Sequence, residues 1–193
     1  MSQTSSKRLP KAERRDQLLE TAIKIVREEG TDALTLGYLA ERALVSKPIA
    51  YEHFKSRSGL LIALYRQMDD QHVTALREAL AGTRRRLKEV AHVMARAYMN
   101  CFTSIGPEWH AISGAMKGDE EMEAFQRRQL DAYVDLYGEA LSPYADLSRD
   151  ALRVRCIAII GAGEALAQDM SRGRVDEEAA VECLASLIVQ WLR

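Results

Sequence analysis

Wherever apolar residues recur in this chain they recur with a helical period, and nowhere do they alternate in the two-residue rhythm of a half-buried strand. Leu18, Leu19, Ala22, Ile23 and Val26 form one stripe, which predicts a helix over 11–29 stopped by Gly30. Thr35 then caps a short helix carrying Leu36, Leu39, Ala40 and Ala43 that ends near Leu44. Ser46 opens another over 47–54, with Pro48 in the first turn where a missing N–H costs little. Ser56 caps a long helix over 57–81, closed by Gly82, and further helices follow over 87–105, 109–116, 120–141, 147–170 and 176–192. The expectation is an all-α protein with a three-helix N-terminal head and a larger C-terminal helical bundle.

The chain has 193 residues, 47% of them hydrophobic, enough to bury a core in both parts. Its longest uncharged apolar run, Cys156 to Gly163, is far below the ~20 residues of a membrane span. The first residues, Met-Ser-Gln-Thr-Ser-Ser followed by Lys7 and Arg8, lack the apolar stretch of a secretory signal, so the cytoplasm is the expected location. Cys101, Cys156 and Cys183 are odd in number and lie in apolar helical stretches, as reduced core thiols do.

The net charge of -1 hides an asymmetry: residues 1–60 carry eleven Lys/Arg against eight Asp/Glu, and 61–193 carry 16 against 20. The basic end includes Lys7, Arg8, Lys11, Arg14 and Arg15, an arm suited to a phosphate backbone. Two short helices joined by a tight turn and packed on a longer one make the arrangement in which the second short helix enters the DNA major groove. On 47–54 the expected inward residues are Val45, Ala50 and Phe54, which leaves Lys47, Pro48, Ile49, Glu52 and His53 outside. Lysine donates to guanine edges, glutamate accepts from a cytosine amino group, and proline and isoleucine pack on a thymine methyl. Thr35, Ser46, Tyr51, His53 and Lys55 surround that helix and suit phosphate contacts.

The run Thr35-Leu36-Gly37-Tyr38-Leu39-Ala40, then Val45-Ser46-Lys47-Pro48-Ile49-Ala50-Tyr51-Glu52-His53-Phe54-Lys55-Ser56-Arg57 with Leu60-Leu61, resembles the head of the tetracycline-repressor (TetR) family over roughly residues 12–65. Leu44 stands where that family usually has glycine, and Ile49 where it usually has Thr or Ser. The resemblance implies a flexible arm (1–10), a helix-turn-helix domain (11–56), and a variable ligand-binding and dimerising body (57–193) with helix 57–81 as connector. It also implies a homodimer on palindromic double-stranded DNA, and a repressor released by a small-molecule effector, the alternatives being an activator or effector-independent regulator with the same head, or a helical interaction module that has lost DNA binding.

In the body, Ala158, Gly161, Ala162 and Ala165 form a small-residue strip on a helix apolar nearly all round, which needs cover on more than one side. The last helix offers Leu184, Leu187, Ile188 and Trp191 at helical spacing, and together the two helices are the expected dimer interface. Met94, Tyr98, Trp109, His110, Phe125, Gln129, Tyr133, Glu164 and Gln168 are the expected pocket residues: bulky apolar surface with a few polar groups.

Other signals are thin. Glu89-x-x-His92 matches half of a carboxylate-bridged di-metal motif, but the only second copy is the poorer Asp69-x-x-His72. The histidines at 53, 72, 92 and 110 are scattered, so no metal is expected. With no phosphate-binding glycine loop or nucleophile elbow, neither a cofactor nor an enzymatic activity is expected.

Overall fold

The computed structural model describes residues 9–83, 86–105, 107–116 and 119–192, without side chains at 101, 102, 104, 105, 107, 109 and 110. Lys7 and Arg8, and the side chains of Trp109, His110 and Cys101, therefore lie outside the described residues. Among the described residues there is no strand. The helices are α1 (Lys11–Glu29), α2 (Leu36–Arg42), α3 (Lys47–Phe54), α4 (Arg57–Ala81), α5 (Leu87–Ile105), α6 (Pro107–Ala115), α7 (Glu120–Leu141), α8 (Arg149–Ser171) and α9 (Glu177–Trp191). No described helix is long and apolar enough to cross a membrane.

Side-chain caps set several of these boundaries by satisfying amides the first turn leaves unpaired. Thr35 Oγ1 accepts from the Tyr38 amide at 3.1 Å, Ser56 Oγ from Gly59 at 2.9 Å, and Asp176 Oδ1 from Ala179 at 2.8 Å. Ser148 does the same for Ala151 at 3.2 Å, so α8 starts two residues later than its apolar pattern suggests. Ser46 begins α3 without such a bond.

The chain forms two compact units, and the division falls at Arg66 inside α4 rather than at the start of that helix. The first holds the described residues up to Arg66 together with 107–119, so α6 clusters with the head. Its core is the inner face of α1 (Leu18, Leu19, Ala22, Ile25, Val26) with Leu36, Leu39, Ala40, Ala50 and Phe54. Arg57 donates to the carbonyls of Leu34 at 3.0 Å and Thr31 at 2.8 Å, tying the start of α4 to the loop before α2. Glu108 of α6 is 4% exposed and pairs with Arg27 of α1. Burial alone would raise its pKa, but the hydrogen bond and charge of Arg27 outweigh that and hold the carboxyl below its usual range.

The second unit, 67–106 with 120–193, is built on a core of Met94, Ala95 and Met99 from α5, Val134, Tyr137 and Leu141 from α7, Cys156 and Ile159 from α8, and Val181, Leu184 and Ile188 from α9. Gly163 lets Tyr98 lie against α8, since a Cβ there would stand 3.1 Å from the ring. Cys156 is fully buried, which pushes its thiol up to about 11, whereas Cys183 is exposed and not the core thiol its neighbours suggested.

Two dimer-interface expectations are corrected here. Leu184 and Ile188 are 1% and 0% exposed, enclosed by their own chain, so they have no surface left for a partner.

Candidate nucleic-acid interface

The turn between α2 and α3 is closed by two backbone bonds: Leu44 N–H to Glu41 O at 3.1 Å, and Val45 N–H to Ala40 O at 2.9 Å. This is a Schellman arrangement, which needs a left-handed residue after the helix. Leu44 fills that place with φ 55 and a side chain left 93% exposed. The other described non-glycine residue with positive φ is Lys55, φ 64, at the far end of α3. Unusual backbone thus brackets α3 at both ends.

Within α3, Ala50 and Phe54 are 0% and 4% exposed and fix which face looks inward. Lys47, Pro48 and Glu52 are exposed on the other side, and Ile49 is half-buried. The Lys47 chain runs beside Gly37 of α2, whose added Cβ would stand 3.7 Å from Lys47 Cε. Exposed Thr35 caps the start of α2, with its hydroxyl already accepting from the Tyr38 amide. Ser46 and Lys55 are exposed, and Tyr51 is 52% exposed, a large aromatic left in solvent.

Three features of this surface join residues distant in sequence. Lys11 and Glu52 form an exposed ion pair at 3.1 Å, so an expected phosphate contact and an expected base contact neutralise each other in the free protein. Arg15, part of the expected basic arm, instead donates to the His53 carbonyl at 3.1 Å and lies 5.0 Å from the Phe54 ring centre, holding α1 against the end of α3. His53 is half-buried, and burial with the nearby Lys11, Arg15 and Arg14 lowers its pKa against the pull of Glu52. At neutral pH it offers a neutral N–H rather than a cation.

Among the described residues of the second unit, the expected pocket residues have different surroundings. Met94 and Phe125 are 0% and 1% exposed, and Tyr98 packs on Gly163. Trp109 and His110 belong by position to the first unit, the others to the second. Glu164 is exposed and accepts from Gln168 at 3.2 Å, which corrects its place in the list: a solvated carboxylate bonded within its own helix lines no interior. Gln129 and Tyr133 do converge, on Asp69, a carboxylate 3% exposed that accepts from Tyr133 Oη at 2.8 Å and from Gln129. Burial and the Asp70 charge raise its pKa more than the two donors lower it. Sequence reasoning weighed Asp69 only as half of a poor metal motif with His72, because spacing along one helix does not show which residues of another helix pack over it. A cleft of about 710 Å³ lies elsewhere, between α5 and α9, and none of the expected pocket residues lines it.

Of the small-residue strip on α8, Gly161 and Ala165 are exposed and Ala158 and Ala162 half-buried. The strip extends further than expected, to Val154 at 66% and Ile157 at 41% exposure, while on α9 Leu187 is half-buried and Trp191 39% exposed.

Residues 18–64 match the family described as bacterial regulatory proteins, tetR family. The chain is 41% identical over 76 residues to the HTH-type transcriptional activator FasR of Mycolicibacterium smegmatis, a match spanning 39% of this chain and 35% of that protein. To the HTH-type transcriptional regulator BetI of Rhizobium meliloti it is 29% identical over 145 residues, 72% of this chain and 70% of that one. A solved TetR-family regulator from Rhodococcus superposes with a TM-score of 0.76 at 20% identity, covering 94% of this chain and all of that one (100%). The fatty acid degradation regulator FadR of Bacillus halodurans superposes with 0.74 at 19% identity, covering 97% and 99%. Residues 18–64 thus carry a head that matches the tetR family of bacterial regulatory proteins in sequence, on an all-helical chain whose fold is similar to that of solved tetR-family regulators.

Proposed function

We propose that this regulator is a cytoplasmic homodimeric repressor, binding a palindromic operator through α3 and leaving it when a small molecule enters the body. The observation that carries the DNA part is the outer face of α3: Lys47 and Pro48 exposed, Lys47 without a hydrogen bond or ion pair among the described residues, on a helix anchored by Ala50 and Phe54. Lys47, Pro48, Ile49 and Glu52 read base edges. Thr35, Ser46, Tyr51, His53, Lys55 and Lys11 hold phosphates. The Lys11–Glu52 pair opens on DNA at little cost, because exposed pairs are weakly held.

Twofold symmetry is supported by the uncovered face of α8, Val154, Ile157, Gly161 and Ala165, and by exposed Trp191 on α9, which suit a second copy of this chain. Two identical heads then read inverted half-sites about one helical turn, or a small multiple of ~10 base pairs, apart. Release requires the ligand to prefer one head spacing over the other, with a coupling typically of ~1–3 kcal/mol that is reciprocal between ligand and operator.

The deciding experiment is selection of bound sites from random duplex DNA by the full chain and by Lys47→Ala and Lys55→Ala. A palindromic consensus is expected. Lys47→Ala relaxes one or two positions, and Lys55→Ala weakens all sequences alike with a shallower salt dependence. An asymmetric half-site bound by a monomer, or an unchanged consensus in Lys47→Ala, refutes the assignment. Activation is the second reading, favoured by the name of FasR, an activator to which this chain is 41% identical over 76 residues. A promoter–reporter fusion separates the two: deletion of the regulator raises expression from a repressed promoter and lowers it from an activated one.

A further inference from the structure

We infer that α5 and α9 carry a site for a divalent transition-metal cation, built from His92, Glu178 and Glu182. Glu178 and Glu182 stand one turn apart on α9 and share a face, and His92 meets them from α5. One ligand atom from each lies within 4.8 Å of the others, and His92 Nδ1 is 3.5 Å from Glu182 Oε1. Donors held ~2.0–2.2 Å from a tetrahedral cation stand about 3.4 Å apart, so that edge already has the required bite. Glu178 and Glu182 are 63% and 66% exposed at the side chain, so the third ligand closes in by rotation about its own bonds without moving the backbone.

The surroundings suit a cation in two ways. The cleft between α5 and α9 is lined by His92 and Glu182 and leaves room for water at the remaining coordination positions. Glu89, one turn before His92, lines the same cleft and adds a further carboxylate. Arg96 Nη2 donates to both oxygens of Glu178 at 2.9 Å and lies 3.2 Å from His92 Nε2, so a bound cation shares Glu178 with this guanidinium, which sits on the side away from Nδ1. Coordination through Nδ1 places the ring proton on Nε2. Arg96 then gives up its contact with the ring and keeps Glu178, where it orients the ligating carboxylate from the outer shell. One imidazole and two carboxylates, with no thiolate, suit Zn²⁺, Co²⁺, Ni²⁺ or Mn²⁺ rather than a soft monovalent ion. The half-motif Glu89-x-x-His92 thus finds its complement as carboxylates on a helix far along the chain rather than as a second copy of itself.

The test is calorimetric titration of the metal-stripped full chain with Zn²⁺ at pH 7.5, in a Cys183→Ser background because that exposed thiol neighbours Glu182. One equivalent per chain is expected, with affinity at least tenfold weaker in His92→Gln and in Glu182→Gln. Bound Co²⁺ should give visible absorption without a thiolate charge-transfer band. No binding by the parent chain, or unchanged affinity in both variants, overturns the site. Both substitutions are at solvent-accessible side chains, and circular dichroism establishes folding first. Glu182→Gln carries the test by itself should His92→Gln fail to fold.

Discussion

Leu44 occupies the position after α2 at which the backbone must turn left-handed, with φ 55, and its side chain is 93% exposed. Holding an L-residue there costs about 1–2 kcal/mol, and glycine escapes that cost. Glycine also loses more freedom on folding, an opposing ~0.5–1 kcal/mol. Almost nothing is lost with the side chain, since so little of it is buried. Leu44→Gly should therefore stabilise the head by about 0.5–1 kcal/mol, whereas Leu44→Ala, which keeps both the Cβ and the strain, should change little. Two-state unfolding of the whole chain is not assured for a protein of two units, so a local assay is preferable. Native-state hydrogen exchange reads the amides of Leu44 and Val45, which close the turn onto Glu41 and Ala40. Protection should rise about two- to fivefold in Leu44→Gly and stay level in Leu44→Ala. A fall in protection with either substitution would mean the leucine side chain holds the turn, and the strain argument would be wrong.

Gly59→Ala should destabilise the junction of α3 and α4 by roughly 1–3 kcal/mol, because its Cβ would stand 2.2 Å from the Phe54 carbonyl oxygen, which is backbone and cannot swing aside; an unchanged melting temperature refutes this. Arg27→Gln should lower the melting temperature at pH 7. The folded-state pKa of Glu108 is depressed, so the pair's contribution is present above the usual carboxylate range and disappears as the pH falls through it; a deficit just as large at pH 3 argues for packing instead. Asp69 is the opposite case. Its folded pKa is raised, so its ionised form costs stability at neutral pH, and Asp69→Asn should raise the melting temperature at pH 8 with a gain that shrinks toward pH 4. Asp69→Leu should be destabilising at either pH because it deprives Tyr133 and Gln129 of their acceptor. A lower melting temperature for Asp69→Asn at pH 8 counts against the desolvation reading.

The head was the most legible part of the chain because its signals are local. Thr35 and Ser56 cap helices that begin where they stand, and Ala50 and Phe54 mark the buried side of α3, which leaves Lys47, Pro48 and Glu52 on the other. The strip on α8 was visible for the same reason, since small residues at helical spacing share a face whatever lies opposite, although its reach to Val154 and Ile157 emerged only from their exposure. Periodicity says which residues lie together on a helix but not what covers them. Leu184, Leu187, Ile188 and Trp191 form one stripe of α9, and the fold buries the first and third in their own core while leaving Trp191 outside. The same limit hid the pairing of Lys11 with Glu52, the burial of Asp69 beneath Gln129 and Tyr133, and the approach of Glu178 and Glu182 to His92. By itself, then, the sequence determined the helices, their caps and the outward face of α3, because each depends on neighbours within about a turn. Only the tertiary structure decided which charges meet, which carboxylates are buried and which apolar faces stay uncovered, because those depend on helices brought together from distant parts of the chain.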